Sequence, residues 1–309
     1  MIFCALVNPA IDIVYRIDEL ELGSTRTDVP SQVFPAGKGI NVAKAVRALG
    51  EDVCVVALMP ENDARRFECY LAELGIECAF CPVEGGVRMS ATVVENGPRQ
   101  VTHINSAGPR RSPRVQDAFV EFAARLMRAG DTWALAGSLP EGFDDDTYMK
   151  MVGLCRQKQI PALLDTRGRA LSMGVRAQPC MVKPNLSELE MLFGERVEGV
   201  HHIALKSKRL LDMGIEYAFV SLGADGTIAV HENECLLCSA PQVDAVDTVG
   251  CGDAFDAGVL VGHARSFSFP EMCRMAVACG ASNALHTGAG VISREEVWRF
   301  MEDVRIEAV

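Results

Sequence analysis

Short runs of nearly uninterrupted apolar residues alternate along this chain with longer stretches whose apolar residues recur at helical spacing. The runs "IFCALV", "VCVVALM", "TWALAG", "PALLD", "CMVKPN" and "YAFVSLG" read as strands. Between them "GINVAKAVRALG", "NDARRFECYLAELG", "DDTYMKMVGLCRQK" and "HHIALKSKRLLDMG" read as helices, and residues 252–265, 270–286 and 294–304 carry three more. Strands that are apolar on both faces and separated by amphipathic helices predict an α/β fold. Its mostly parallel central sheet is covered by helices on both sides.

Two stretches break the rhythm. Residues 12–34 and 86–105 show alternation and turns but no helix, and "VVENGPRQV" reads as a hairpin around Asn96-Gly97-Pro98. The two are expected to meet as one small β-sheet that stands off the main domain as a lid. The division predicted is a core of 1–11, 35–85 and 106–309 with a lid of 12–34 and 86–105. Val14, Ile17, Val29, Val33, Val93, Val101 and Ile104 have no helix of their own to cover them. A small sheet with an open apolar face is unstable alone, so a homodimer through the lid is expected.

Charge narrows the partners. With 309 residues and a net charge of −11, the chain lacks the basic field that nucleic acid requires. The opening "MIFCALVNPAID" has too short an apolar run and no basic residues ahead of it, so it does not read as a signal peptide. No apolar run approaches the roughly 18 residues that span a bilayer. A cytoplasmic protein without a membrane partner is expected. Twelve cysteines fit that setting as small, reduced hydrophobes, most of them inside apolar runs. The pairs Cys78/Cys81 and Cys235/Cys238 enclose apolar residues and read as core positions, not as a zinc site.

Ligands of open α/β sheets bind beyond the carboxyl ends of strands, which singles out the residues just after each run. These include Asp12, Ser138, Asp165, Lys183, Asn185, Glu188, Gly223 and Gly226. In "DTVGCGDAFDAG" a Gly-x-Gly turn precedes Asp253 and a helix, an arrangement suited to holding phosphate on free backbone N–H groups. Asp253 could equally be an ordinary N-cap. Neither "AGKGINVA" nor "GCGDAF" has Walker A spacing or completes GxGxxG, which disfavours a dinucleotide enzyme.

Together these pieces resemble the PfkB, or ribokinase-like, family of carbohydrate kinases. "AGKGINVA" is similar to its N-terminal signature and "DTVGCGDAF" to its C-terminal one, with "NPAID", "GSLP", "LDTRG", "KPNLSE" and "SLGADG" in the family's order. The resemblance implies a ribokinase-like three-layer α/β/α domain with a β-sheet lid, and an ATP- and Mg2+-dependent kinase. It makes Asp253 the general base, with Gly250, Cys251 and Gly252 forming an anion hole. Asp12, Gly37 and Asn41 match residues that hold sugar hydroxyls, and Ser138 falls in the same substrate cleft. Arg88 matches a residue that pairs with the substrate's own phosphate, with Lys38 as its helper. Lys183 is expected at the nucleotide phosphates, Ser221, Gly223 and Gly226 beside the nucleotide, and Asn185 and Glu188 at magnesium through water.

"NPAID" and "GKGINVA" are most similar to the branch acting on ketohexose phosphates, 1-phosphofructokinase first and tagatose-6-phosphate kinase or 6-phosphofructokinase next. Ala36, where the family usually has glycine, and "GDAFDAG", closer to ribokinase itself, keep a free sugar or nucleoside open as substrate. A non-catalytic sugar-binding regulator is the alternative from another class.

Overall fold

The computed structural model describes residues 1–95 and 100–309. The turn expected at Asn96-Gly97-Pro98 lies outside them. In chain order, β1 (Ile2–Leu6), β2 (Ala10–Ile17) and β3 (Ser31–Ala36) precede α1 (Lys38–Ala48), β4 (Val53–Pro60) and α2 (Glu61–Glu73). Then come β5 (Glu77–Val83), β6 (Arg88–Glu95), β7 (Gln100–Asn105), α3 (Pro113–Leu126), β8 (Thr132–Ala136) and α4 (Thr147–Gln157). Next are β9 (Ala162–Asp165), α5 (Gly168–Arg176), β10 (Met181–Val182), α6 (Leu186–Phe193), α7 (Val200–Asp212) and β11 (Tyr217–Ser221). The chain ends with β12 (Thr227–His231), β13 (Glu234–Ser239), α8 (Cys251–Ala264), α9 (Phe269–Ala284), α10 (Arg294–Asp303) and β14 (Arg305–Ala308).

Ten strands form the main sheet in the order β14-β13-β12-β11-β10-β9-β8-β1-β4-β5. From β5 to β11 neighbours run parallel, and the last three strands add on antiparallel. Parallel neighbours need helical crossovers, so both faces are covered and strands such as β4 and β8 are buried throughout. One core, with Ile40, Phe255 and Met275, lies under α1, α8 and α9; the other, with Phe119, Trp133 and Tyr148, lies under α3 and α4. This is the three-layer α/β/α arrangement expected. The sequence reading passed over β5, α3, α5, α6, β12, β13 and β14, and the strand it placed at "CMVKPN" is only Met181–Val182. There the chain needs two pairs on each side before turning toward α6.

The two helix-free stretches form a four-stranded sheet in the order β3-β2-β6-β7. It begins at Ala10 and takes in β3 as far as Ala36, so Ala10, Ile11 and residues 35–36 belong to it rather than to the core. The pleat divides its apolar residues in a way the sequence reading did not. Asp12, Val14, Phe34, Arg88, Thr92 and His103 line a cleft on one face. Ile13 pairs with Val33 and Ala91 with Ile104 on the other face, where Val33, Met89 and Ile104 are exposed. Val14 is therefore a cleft residue, not part of the open apolar face.

Among the described residues no helix is long and apolar enough to cross a membrane. Cys78 and Cys81 lie on the edge strand β5, and Cys235 and Cys238 on β13 near the opposite edge. The sheet's breadth separates the two pairs.

Candidate active site

The turn before α8 is held open by its own surroundings. Gly250 has φ of +86°, and a Cβ there would stand 2.4 Å from the Ala289 Cα, so no larger residue fits. Asp247 accepts the Val249 N–H at 2.9 Å and the Gly288 N–H at 3.2 Å. Asn283 donates to the Val249 carbonyl at 2.9 Å and accepts the Gly290 N–H at 2.8 Å. These bonds tie the turn to the 287–290 loop. Of the N–H groups expected to form an anion hole, that of Cys251 donates to the Thr248 carbonyl at 3.3 Å. Those of Gly250, Gly252 and Asp253 meet no acceptor among the described residues. The free donors thus include two of the three expected, Gly250 and Gly252, with Asp253 in place of Cys251. No side chain caps this helix, so Asp253 is not its N-cap.

Asp253 lies on the first turn of α8 and is 5% exposed. The Asn41 amide donates to its Oδ2 at 2.8 Å, and the Lys38 ammonium stands 3.6 Å from its Oδ1. Lys38 also pairs with Asp165. Lys183 stands 2.9 Å from Asp165 and 3.7 Å from Asp256, whose carboxylate is fully buried with neither oxygen hydrogen-bonded among the described residues. Burial pushes Asp253 above the usual carboxylate range, against the pull of Lys38 and Asn41. For Asp165 burial acts upward too, but Lys183 and Lys38 hold it below that range. Burial and the charge of Asp165 push Asp256 well up. One proton kept on Asp256 leaves the remaining carboxylates balanced by the two ammonium groups. Lys44, half-buried, donates to the Ala289 carbonyl at 2.6 Å, and desolvation pushes it down to about 8 while Asp253 opposes the shift.

Asp253 sits between two kinds of cleft. On one side a polar cavity of about 450 Å³ is lined by Asp12, Gly37, Lys38, Asn41, Lys44, Arg88 and the cleft face of the small sheet. A second polar cavity of about 350 Å³ shares Lys38, Arg88 and Asn105 with it and adds Asn8, Ser138, Arg167 and Glu188. On the other side an apolar cleft of about 330 Å³ is lined by Ser221, Gly223, Gly226, Val243, Phe255 and Val277. Cys251 and Gly252 form its inner end.

Two side chains are held by protein acids as well as standing near the site. Lys183 is 5% exposed, with its ammonium between Asp165 and Asp256 and beside Gly252. Lys38 pairs with Asp165 and Asp253 and also lines both polar cavities with Arg88. Asn185 and Glu188 form a capping box on α6: Asn185 Oδ1 accepts the Glu188 N–H and Glu188 Oε2 accepts the Asn185 N–H, each at 2.9 Å. That leaves Glu188 Oε1 facing the second polar cavity without a partner among the described residues. Burial raises the Cys251 thiol, and Asn283 donates to its sulfur at 3.6 Å, so the thiol is a filler and not a nucleophile.

Asp256, Lys44 and Arg167 were missed. Asp256 carried a signal: it is the one acid in the otherwise apolar "AFDAGVLVG", one turn beyond Asp253. Lys44 carried none, because the carbonyl it holds is 245 residues away.

A family model described as pfkB family carbohydrate kinase matches residues 6–296. The chain is similar to the 1-phosphofructokinase of Haemophilus influenzae, with 31% identity over 304 residues covering 98% of this chain and 97% of that protein. It is similar to the 1-phosphofructokinase of Vibrio cholerae at 30% over 303 residues, covering 98% and 95%. In fold it is similar to the crystal structure of phosphofructokinase-2 from Escherichia coli in complex with potassium, with a TM-score of 0.90, 21% identity and 98% of each chain covered. With the ordered motifs, the fold and the family match over nearly its whole length, the chain belongs to the pfkB family of carbohydrate kinases.

Proposed function

We propose that this kinase transfers the γ-phosphoryl group of ATP to fructose 1-phosphate, giving fructose 1,6-bisphosphate. The observation that carries the reading is the place of Asp253, bonded to Asn41 of the polar cleft and one residue from Gly252 of the apolar one. A sugar hydroxyl in the first cleft and a nucleotide in the second would meet at this carboxylate. Asp253 takes the hydroxyl proton, the oxygen attacks the γ-phosphorus and ADP leaves. The free N–H groups of Gly250, Gly252 and Asp253 hold the charge on the transferred group. Burial makes Asp253 a better base, and Lys38 keeps it ionised.

Asp12, Gly37 and Asn41 hold the sugar hydroxyls in this reading, Arg88 and Ser138 its existing phosphate, and Ser221, Gly223 and Gly226 the nucleotide. Magnesium keeps several waters and binds through few carboxylates, which suits the free Oε1 of Glu188. Bound there it would neutralise charge on the nucleotide phosphates. The small sheet, roughly 12–34 and 86–105, acts as the lid of a core made by the rest. Its outer apolar face, with Val33, Met89 and Ile104, packs on a second copy. Twelve free cysteines support work in the reducing cytoplasm.

A turnover panel of fructose 1-phosphate, fructose 6-phosphate, tagatose 6-phosphate, fructose and ribose with ATP tests the substrate. Fructose 1-phosphate should give the highest kcat/KM. A higher value for any other sugar would replace the assignment.

A further inference from the structure

We propose that Arg167 is a second arm for the phosphate that the sugar already carries, so that Arg88 and Arg167 together select a ketose phosphate over a free ketose. The inference rests on the sugar-phosphate reading above and adds to it a residue that sets specificity.

Arg88 and Arg167 line the same polar cavity, together with Asn8, Ser138 and Asn105. Their backbones are fixed. Arg88 opens β6 on the cleft face of the small sheet, paired in register with Ala10. Arg167 follows Thr166, whose hydroxyl donates to the Gly137 carbonyl at 2.8 Å and so locks this turn against the one carrying Ser138.

Neither cation is matched by an acid. Arg88 Nε is buried and has no acceptor among the described residues. Arg167 makes no ion pair or side-chain hydrogen bond among them, whereas Arg169, two positions on, pairs with Asp145 at 3.0 Å. The acids lining the cavity are otherwise engaged: Asp165 by Lys38 and Lys183, and Glu188 through one oxygen by the first turn of α6. Burial and the charge of Arg167 both weaken Arg88's hold on its proton, with only Asp12 opposing them. Two like charges facing one cavity repel until an anion sits between them. A phosphate dianion has oxygens enough for two guanidinium forks, while a free hydroxyl has no charge to offer.

The test is steady-state kinetics of wild type, Arg167→Ala, Arg167→Lys and the double variant with Arg88→Ala, using fructose 1-phosphate and fructose. Arg167 is exposed and caps nothing with its side chain, so the fold should survive, as an unchanged Tm would show. Arg167→Ala should raise KM for fructose 1-phosphate roughly tenfold with little change in kcat. KM for ATP and turnover of fructose should stay put, and Arg167→Lys should recover part of the loss. Inorganic phosphate, as a competitor of the sugar phosphate, should inhibit Arg167→Ala several-fold more weakly. The effects of the two arginine changes should be non-additive, because both act on one phosphate. If wild type prefers fructose 1-phosphate but Arg167→Ala keeps its KM within twofold, this inference fails and the function stands. Equal losses for fructose and for ATP would also overturn it, as the sign of a general field. A wild type that prefers fructose would overturn both.

Discussion

Helices α6 and α8 both begin near the carboxyl edge of the main sheet, yet they finish their first turns in opposite ways. The α6 helix closes on itself: Asn185 and Glu188 each accept the other's N–H. The α8 helix opens on Gly250 in the left-handed region with no side-chain cap, and three N–H groups at its start find no acceptor among the described residues. Unsatisfied donors on a helix end are a cost unless something else supplies the acceptor. A closed start has spent its backbone donors within the chain and offers no seat for an anion. An open one, braced by Asp247 and Asn283 so that it cannot collapse, marks a seat for an anion.

The sharpest way to break this contrast is Asp253→Asn, which keeps the size of the side chain and removes its basicity. Turnover should fall roughly 10²–10⁴-fold with nucleotide affinity little changed. A near-wild-type rate would leave α8 with an open end and no chemistry.

Next in size is Gly250→Ala set against Gly194→Ala. Gly194 ends α6 at φ +71° with open space around its Cβ position, so alanine there meets only the left-handed penalty of about 1–2 kcal/mol. At Gly250 alanine also meets the Ala289 backbone, so the turn must move and turnover should drop by more than about tenfold. Kinetics and thermal unfolding of the two variants separate lost stability from lost geometry.

The pH profile sharpens the picture further. Asp253 works as a carboxylate, and its pKa is raised, so kcat/KM should decline as pH falls through a value above the ordinary carboxylate range. Lys44 holds the Ala289 carbonyl behind the turn as an ammonium, and its pKa is lowered to about 8. Activity should therefore decline again as pH rises past about 8, and Lys44→Arg should move that limb upward. A profile flat through alkaline pH would show that the loop does not need the charge.

Smallest is Asn185→Ala, which removes the N-cap of α6. Stability should fall by about 1 kcal/mol, read as a lower Tm, with KM for the sugar unchanged.

Much of this was legible in the sequence because it is local. Strands buried on both faces are mostly apolar, so β4, β8 and β11 read directly. The Gly-x-Gly-Asp element and its helix sit within one short segment. The amphipathic α3 was readable too, since Ser112 and Pro113 precede apolar positions 115, 119, 122 and 123. What escaped was decided by distance. That the Lys183 ammonium stands between Asp165 and Asp256 depends on a helix that arrives some 70 residues later. The split of Val14 from Val33 depends on the register of β2 against β3, which sets Ile13 opposite Val33 and Val14 opposite Gln32.

The carboxylate of Asp256, without a hydrogen bond among the described residues, has a practical consequence for anyone who sets out to make this enzyme tougher. A buried polar group without a hydrogen bond costs roughly 1–3 kcal/mol, and removing it can recover that cost. A library selected for survival of heating alone should therefore accumulate asparagine or leucine at position 256 early, with Lys183 still balanced by Asp165. The same library selected for survival and sugar phosphorylation together would keep aspartate if its proton matters to the neighbouring base. The divergence between the two selections at this one codon would measure how far durability has been given up for catalysis.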